Sequence, residues 1–143
     1  MMYAAATLAL MAGCAVQPVQ YTKVPAPANP EALIERVLME HPTRFRNGYA
    51  TVTPEYVEYG SGSTTMGPVF GTKSVEKVNV TRLYFTSVAE SKLYPKADYW
   101  RIDSLNKEGK VIGRAYSYDR DIAASYISAL WEMRERALKR AEN

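Results

Sequence analysis

The chain has 143 residues, 47% of them apolar and 23% charged, with a formal net charge of +3. Those values sit near the averages for globular chains, which excludes a disordered or many-spanning protein, and no later stretch approaches the ~18 continuous apolar residues of a spanning helix. Lys and Arg are spread along the chain instead of forming the clustered basic face of nucleic-acid binders, and a single cysteine excludes a disulfide framework.

In chain order, the first feature is the apolar run Leu8-Ala9-Leu10-Met11-Ala12-Gly13, which ends at Cys14. An apolar core followed by small residues is the composition of a cleavable export signal, and this run resembles a bacterial lipobox. The resemblance implies removal of residues 1–13, acylation of Cys14 by a diacylglycerol with palmitate-type chains, and a mature chain of about 130 residues, enough for one domain. Met11 stands where Leu is usual, and Met1-Met2-Tyr3 brings no cation. The alternative is a free thiol packed as a small hydrophobe on a short N-terminal helix. Residues 14–29 shift to Ala, Val, Gln and Pro, and Pro18, Pro25 and Pro27 favour extended chain, so this segment reads as a lipidated tether. Ala15 after the cysteine, in place of Asp, implies the periplasmic face of the outer membrane under the enterobacterial sorting rule.

A single globular domain is expected over residues 30–143. Asn29-Pro30-Glu31 predicts a helix start, with Asn29 as cap and Pro30 in the first turn. Leu33, Ile34, Val37 and Leu38 form one apolar face, and the helix stops near His41-Pro42 because a residue before proline avoids helical dihedrals. From Phe45 the period changes to two, predicting strands over 45–52 and 56–59 joined at Thr53-Pro54-Glu55. Gly60 to Ser74 is a Gly/Ser/Thr-rich connection. Further strands are expected over 78–85, 88–94, 99–105 and 110–118, the last two as a hairpin whose Gly109 suits a left-handed loop position. A long helix from Asp119 or Asp121 to Arg140 closes the chain, with Ile122, Tyr126, Leu130, Met133 and Ala137 as its apolar stripe. Trp131 is expected to supply the largest single burial in the core.

The expected class is therefore α+β: an antiparallel sheet or partly open barrel of about six strands with a short N-terminal and a long C-terminal amphipathic helix. Ala50 to Tyr59, Leu83-Tyr84-Phe85-Thr86-Ser87-Val88, Tyr99-Trp100-Arg101-Ile102 to Gly109-Lys110-Val111, and the helix Ala124 to Met133 together resemble a small bacterial pleckstrin-homology-like (PH-like) domain. The resemblance implies a helix plugging one corner of two packed sheets, with loops at the other end binding phospholipid head groups or peptides. Thr53-Pro54-Glu55 puts an acid where head-group binders carry cations, while an extended peptide can add to a sheet edge without special residues. The alternative architecture is an open antiparallel sheet with both helices on one face.

Catalytic chemistry finds no constellation. Between Gly60 and Ser74 the glycine and lysine spacing fails the phosphate-loop pattern, so the segment stands as a candidate binding loop presenting Met66, Val69, Phe70 and Lys73. His41 is the only histidine, so neither a His-based triad nor a multi-histidine metal site is available, and no cofactor is implied. Glu55, Glu58, Asp98 and Asp103 read as surface charge. Tyrosines crowd the sheet region, and a minority on one face are candidates for a contact patch. The expected function is a membrane-anchored periplasmic lipoprotein acting as a non-catalytic protein- or peptide-binding module of the cell envelope. The alternative is a lipid head-group or small-ligand binder using the Gly60–Ser74 loop.

Overall fold

A computed structural model describes residues 16–66, 73–76 and 78–143; the apolar N-terminal run and Cys14 lie outside them. Helix α1 spans Pro30–Met39, where Asn29 Oδ1 accepts the Ala32 N–H at 3.0 Å and Ile34, Val37 and Leu38 are buried. The chain then makes a single 3-10 turn over Thr43–Phe45 before β1 (Tyr49–Val52). Phe45 was expected inside the strand. Its N–H is used by Pro42 O and its carbonyl faces the His41 ring, so the backbone stays turned until Tyr49.

Strand β1 pairs antiparallel with β2 (Tyr56–Gly60), Thr51 opposite Glu58, across a turn in which Thr53 Oγ1 accepts the N–H groups of Glu55 and Tyr56. Within the expected Gly60–Ser74 connection, the described residues include strand that its composition did not imply. Ser63–Met66 (β3) and Lys73–Glu76 (β4) pair as a two-stranded ribbon, with Thr64 opposite Val75. A Cβ at Gly48 would overlap the Gly62 carbonyl, so glycine there permits the close approach at the base of this ribbon. Asn79 takes a positive φ of 51° just before β5 (Thr81–Tyr84), which lies against β2 with Val57 opposite Leu83. Strand β5 stops one residue before Phe85, which turns inward and is fully buried.

The second half forms a separate sheet, β6 (Glu90–Pro95), β7 (Trp100–Leu105) and β8 (Val111–Ser117), in the order β6-β7-β8. Gly109, with φ of 77°, closes the β7–β8 hairpin as expected, and Asn106 Oδ1 accepts the N–H groups of Glu108 and Lys110. Helix α2 (Arg120–Ala141) starts at Asp119, whose side chain accepts the Ile122 N–H at 3.0 Å. The fold is thus α+β with two antiparallel three-stranded sheets, β1-β2-β5 and β6-β7-β8. Among the described residues the sheets do not close into a barrel. No described helix is long and apolar enough to cross a membrane.

Helix α2 lies on β6, β7 and β8 and against α1, with Tyr126, Ile127, Leu130 and Met133 almost wholly buried. Trp131 is not the plug. It is only partly buried at the edge of the core, with the Arg134 guanidinium 5.1 Å above its ring, and Tyr126, 1% exposed, holds the central place. The 3.6-residue period puts both rings on the broad apolar side; depth follows from which of them faces the strands. Residues 19–24 of the expected tether lie on the domain: Val19 N–H donates to Leu93 O on the β6 edge at 2.8 Å, and Ser128 Oγ donates to Val24 O at 2.8 Å.

The two aromatic positions therefore differ in their expected cost. Tyr126→Ala should destabilise by about 3–5 kcal/mol, as for buried aromatics elsewhere, and Trp131→Ala by about 1–2 kcal/mol because solvent already reaches part of the ring. Urea unfolding of both variants measures the order; a larger loss at Trp131 would contradict this packing.

Candidate functional site

Strands β5 and β8 run beside one another without pairing, so β8 ends its sheet with backbone groups that need partners. Side chains supply them. The Tyr59 hydroxyl, reaching across from β2, donates to Arg114 O and accepts the Arg114 N–H, both at 3.2 Å. His41 Nε2 accepts the Tyr116 N–H at 3.1 Å. That bond fixes the tautomer: with Nε2 as acceptor, the ring proton sits on Nδ1, 3.1 Å from Phe45 O. Between β8, Tyr59, Thr81 and the His41–Asn47 segment lies an open groove of about 490 Å³.

Burial tunes both groups away from proton transfer. Loss of solvent lowers the His41 pKa to about 4 against a smaller opposing contribution from Phe45 O, so the ring is neutral. Protonation would also set an N–H against the Tyr116 N–H. Burial likewise pushes the Tyr59 hydroxyl up to about 12, partly offset by its bond to Arg114. Both polar tips are committed to backbone atoms, an arrangement suited to holding a surface in shape.

The outer face of β6-β7-β8 continues from this groove. Side chains alternate across a sheet, so Ile102 enters the core while Arg101 and Asp103 turn to the other side, opposite Tyr116 and Arg114 of β8. Asp103 is 3% exposed, not the surface charge expected. Its Oδ1 accepts the Arg114 Nε–H at 3.2 Å and is ion-paired with Arg101, whose Nε lies 2.9 Å away without a hydrogen bond. Arg101 stacks over Tyr94, 4.5 Å from the ring centroid. Phe45 and Tyr116 lie parallel with centroids 4.0 Å apart, Tyr99 meets both edge-on, and Arg44 covers Phe45 and Tyr99. Glu58 on the other sheet is also buried and paired with Arg82 at 2.6 Å, again departing from a surface reading. Each of these mid-strand carboxylates is paired with an arginine of the neighbouring strand, Arg114 or Arg82, and Asp103 also with Arg101 of its own strand.

Of the residues singled out in sequence, Met66 and Lys73 stand opposite each other in the β3–β4 ribbon. Cys14, Val69 and Phe70 lie outside the described residues. Among the described residues no group of three or more His, Cys, Asp or Glu gathers as a metal would need. Sequence reasoning missed Tyr59, Arg101, Asp103, Arg114 and Tyr116 as one assembly. The turn alone could not have shown the last four together: Leu105 faces Val111, and a bulge between Ser104 and Leu105 shifts the register by one residue to set 101 opposite 116 and 103 opposite 114. Comparison of the chain with protein-family models, curated proteins and solved structures gives no match.

Two measurements test the edge. Because the folded His41 pKa lies below the unfolded 6.5, the unfolded chain takes up the proton first as pH falls. Stability should drop between pH 6.5 and 4, by up to about 3 kcal/mol, and His41→Ala should lose that portion of the slope in urea titrations at pH 7.5, 5.5 and 4.5. Tyr59→Phe should cost about 1–3 kcal/mol by stranding the Arg114 backbone groups, whereas Tyr118→Phe at an exposed position should change unfolding by less than about 0.5 kcal/mol.

Proposed function

We propose that this chain is a lipid-anchored lipoprotein of the bacterial outer membrane, facing the periplasm, and that its domain is a non-catalytic module binding another envelope protein or peptide. The observation that carries the binding reading is the face formed by Tyr94, Arg101, Arg114, Tyr116, Tyr99 and Arg44: Arg101 lies over Tyr94, Arg44 over Tyr99, Tyr99 meets Tyr116 edge-on, and Arg114 is held by Asp103. Tyr and Arg are the residues that dominate binding energy at protein interfaces. Tyr94, Arg101, Arg114 and Tyr116 are held on strands, which lowers the entropy lost when a partner docks. The anchor reading rests on the Leu8–Cys14 run. The finer architectural reading is a partly open barrel of the PH-like kind; it is supported by the unpaired approach of β5 and β8, spanned by Tyr59, and by a C-terminal helix packed on the second sheet.

Sheet addition along the middle of β8 does not fit this arrangement, since Tyr59 and His41 occupy its outward backbone groups at Arg114 and Tyr116. Binding through side chains of the β6-β7-β8 face does.

Fatty-acid labelling of cells should mark the wild type and not Cys14→Ser; equal labelling would end the anchor reading. A photo-crosslinking residue at position 94 should capture one dominant protein in cells, and the same residue at position 107, in the β7–β8 turn, should not. Recovery of lipid alone at position 94 would favour head-group binding instead.

A further inference from the structure

The most specific feature of the outer face is how its two central arginines are held. Asp103 Oδ1 accepts the Arg114 Nε–H at 3.2 Å and lies 2.9 Å from Arg101 Nε, an ion pair in which the buried Nε–H is not aimed for a hydrogen bond. Neither guanidinium has a hydrogen bond from its terminal nitrogens to any described residue, so both Nη forks are left over while the stems are fixed. Arg101 is further clamped by the Tyr94 ring at 4.5 Å. Its side chain is 22% exposed and that of Arg114 is 50% exposed, so each remains within reach of solvent. A planar fork matched in width to a carboxylate, and immobilised beforehand, is the arrangement that gives bidentate recognition.

Charge on the face is complementary to an acid. Lys92 stands in register with Asp103 on β6, and Arg44 sits at the far side over Phe45 and Tyr99. Arg101, Arg114 and Lys92 stand beside one buried carboxylate, with Arg44 farther along; Glu90 lies at the end of β6, opposite Leu105. The exposed aliphatic side chains Val78, Val80 and Met39 belong to other segments, and the exposed ring that follows Tyr116 just past β8 is that of Tyr118, which carries a polar hydroxyl.

We infer that Arg101 and Arg114, held together by Asp103, form a carboxylate receptor for an acidic polypeptide segment, with Tyr94 and Tyr116 as flanking platforms. This rests on the protein-binding reading and names the chemistry of its partner. The segment places a Glu or Asp carboxylate between the two forks, and further acids reach Lys92 and Arg44 along the face.

The probe is a hexaglutamate peptide, titrated at low salt into the full chain with backbone amide NMR signals as the readout. Saturable shifts are expected at residues 92–94, 101–103 and 114–116. Arg114→Lys, which keeps the charge and loses the fork, should weaken binding at least fivefold, while Arg36→Ala on α1 should leave it unchanged. Asp103→Asn separates recognition from bulk attraction: it adds positive charge yet frees both stems, so a fork mechanism weakens binding and simple attraction strengthens it. Shifts scattered over other cations, equal binding by Arg114→Lys, or tighter binding by a folded Asp103→Asn would each overturn the inference. So would saturable binding to phosphatidylglycerol vesicles with none to hexaglutamate. If crosslinking at position 94 captures a protein that hexaglutamate does not displace and Arg114→Lys does not lose, this inference falls and the protein-binding reading stands.

Discussion

The Tyr59 hydroxyl holds the two halves of this molecule in register. Each sheet has three strands, too few to satisfy its own edges, and the facing strands β5 and β8 do not exchange hydrogen bonds as a ladder. A single side chain from β2 crosses instead and satisfies both backbone groups of Arg114. Its approach needs space: a Cβ on Gly113 would lie 3.1 Å from the Tyr59 oxygen. His41 makes the equivalent connection from the end of α1 to Tyr116, which ties the first helix to the second sheet. Buried backbone groups must be paired, and pairing them with side chains leaves a groove between the sheets where a strand would otherwise sit.

That choice sets where recognition can occur. With the backbone of β8 capped at 114 and 116, its side chains become the presented chemistry. They project from a sheet backed by α2, so their positions are as fixed as the core behind them. Asp103 then orders the two arginines, and Tyr94, Phe45, Tyr99 and Tyr116 pack the surrounding surface. The result is a charged aromatic face whose conformational cost is largely met by folding.

The N-terminal segment adds a second consequence. Val19 covers one position of the β6 edge, and Arg120 and Ser128 of α2 donate to the carbonyls of Gln20 and Val24. Prolines there block helix and suit an extended strap as readily as a free tether. The chain therefore meets the folded domain well before α1, at the far edge of the same sheet that carries the arginine face.

Local rules determined much of this protein. The Asn29 and Asp119 caps, the stop at His41-Pro42, the left-handed Gly109 and the succession of elements outside the β3–β4 ribbon all follow from interactions within a few residues, and they are legible in the sequence. What only the tertiary structure decided depends on contacts between residues distant along the chain. Whether Trp131 or Tyr126 fills the core depends on the rotation of α2 about its axis against a sheet no helix periodicity describes. Composition could not divide the strands into two sheets, because strand partners are chosen by edges and not by alternation. Glu58 and Asp103 read as surface acids because Arg82 and Arg114, which pair with them, come from strands distant in sequence or set by a shifted register. His41 and Tyr59 looked like a helix end and a strand residue. Their roles at the β8 edge exist only once α1 and β2 are folded against residues more than fifty positions away.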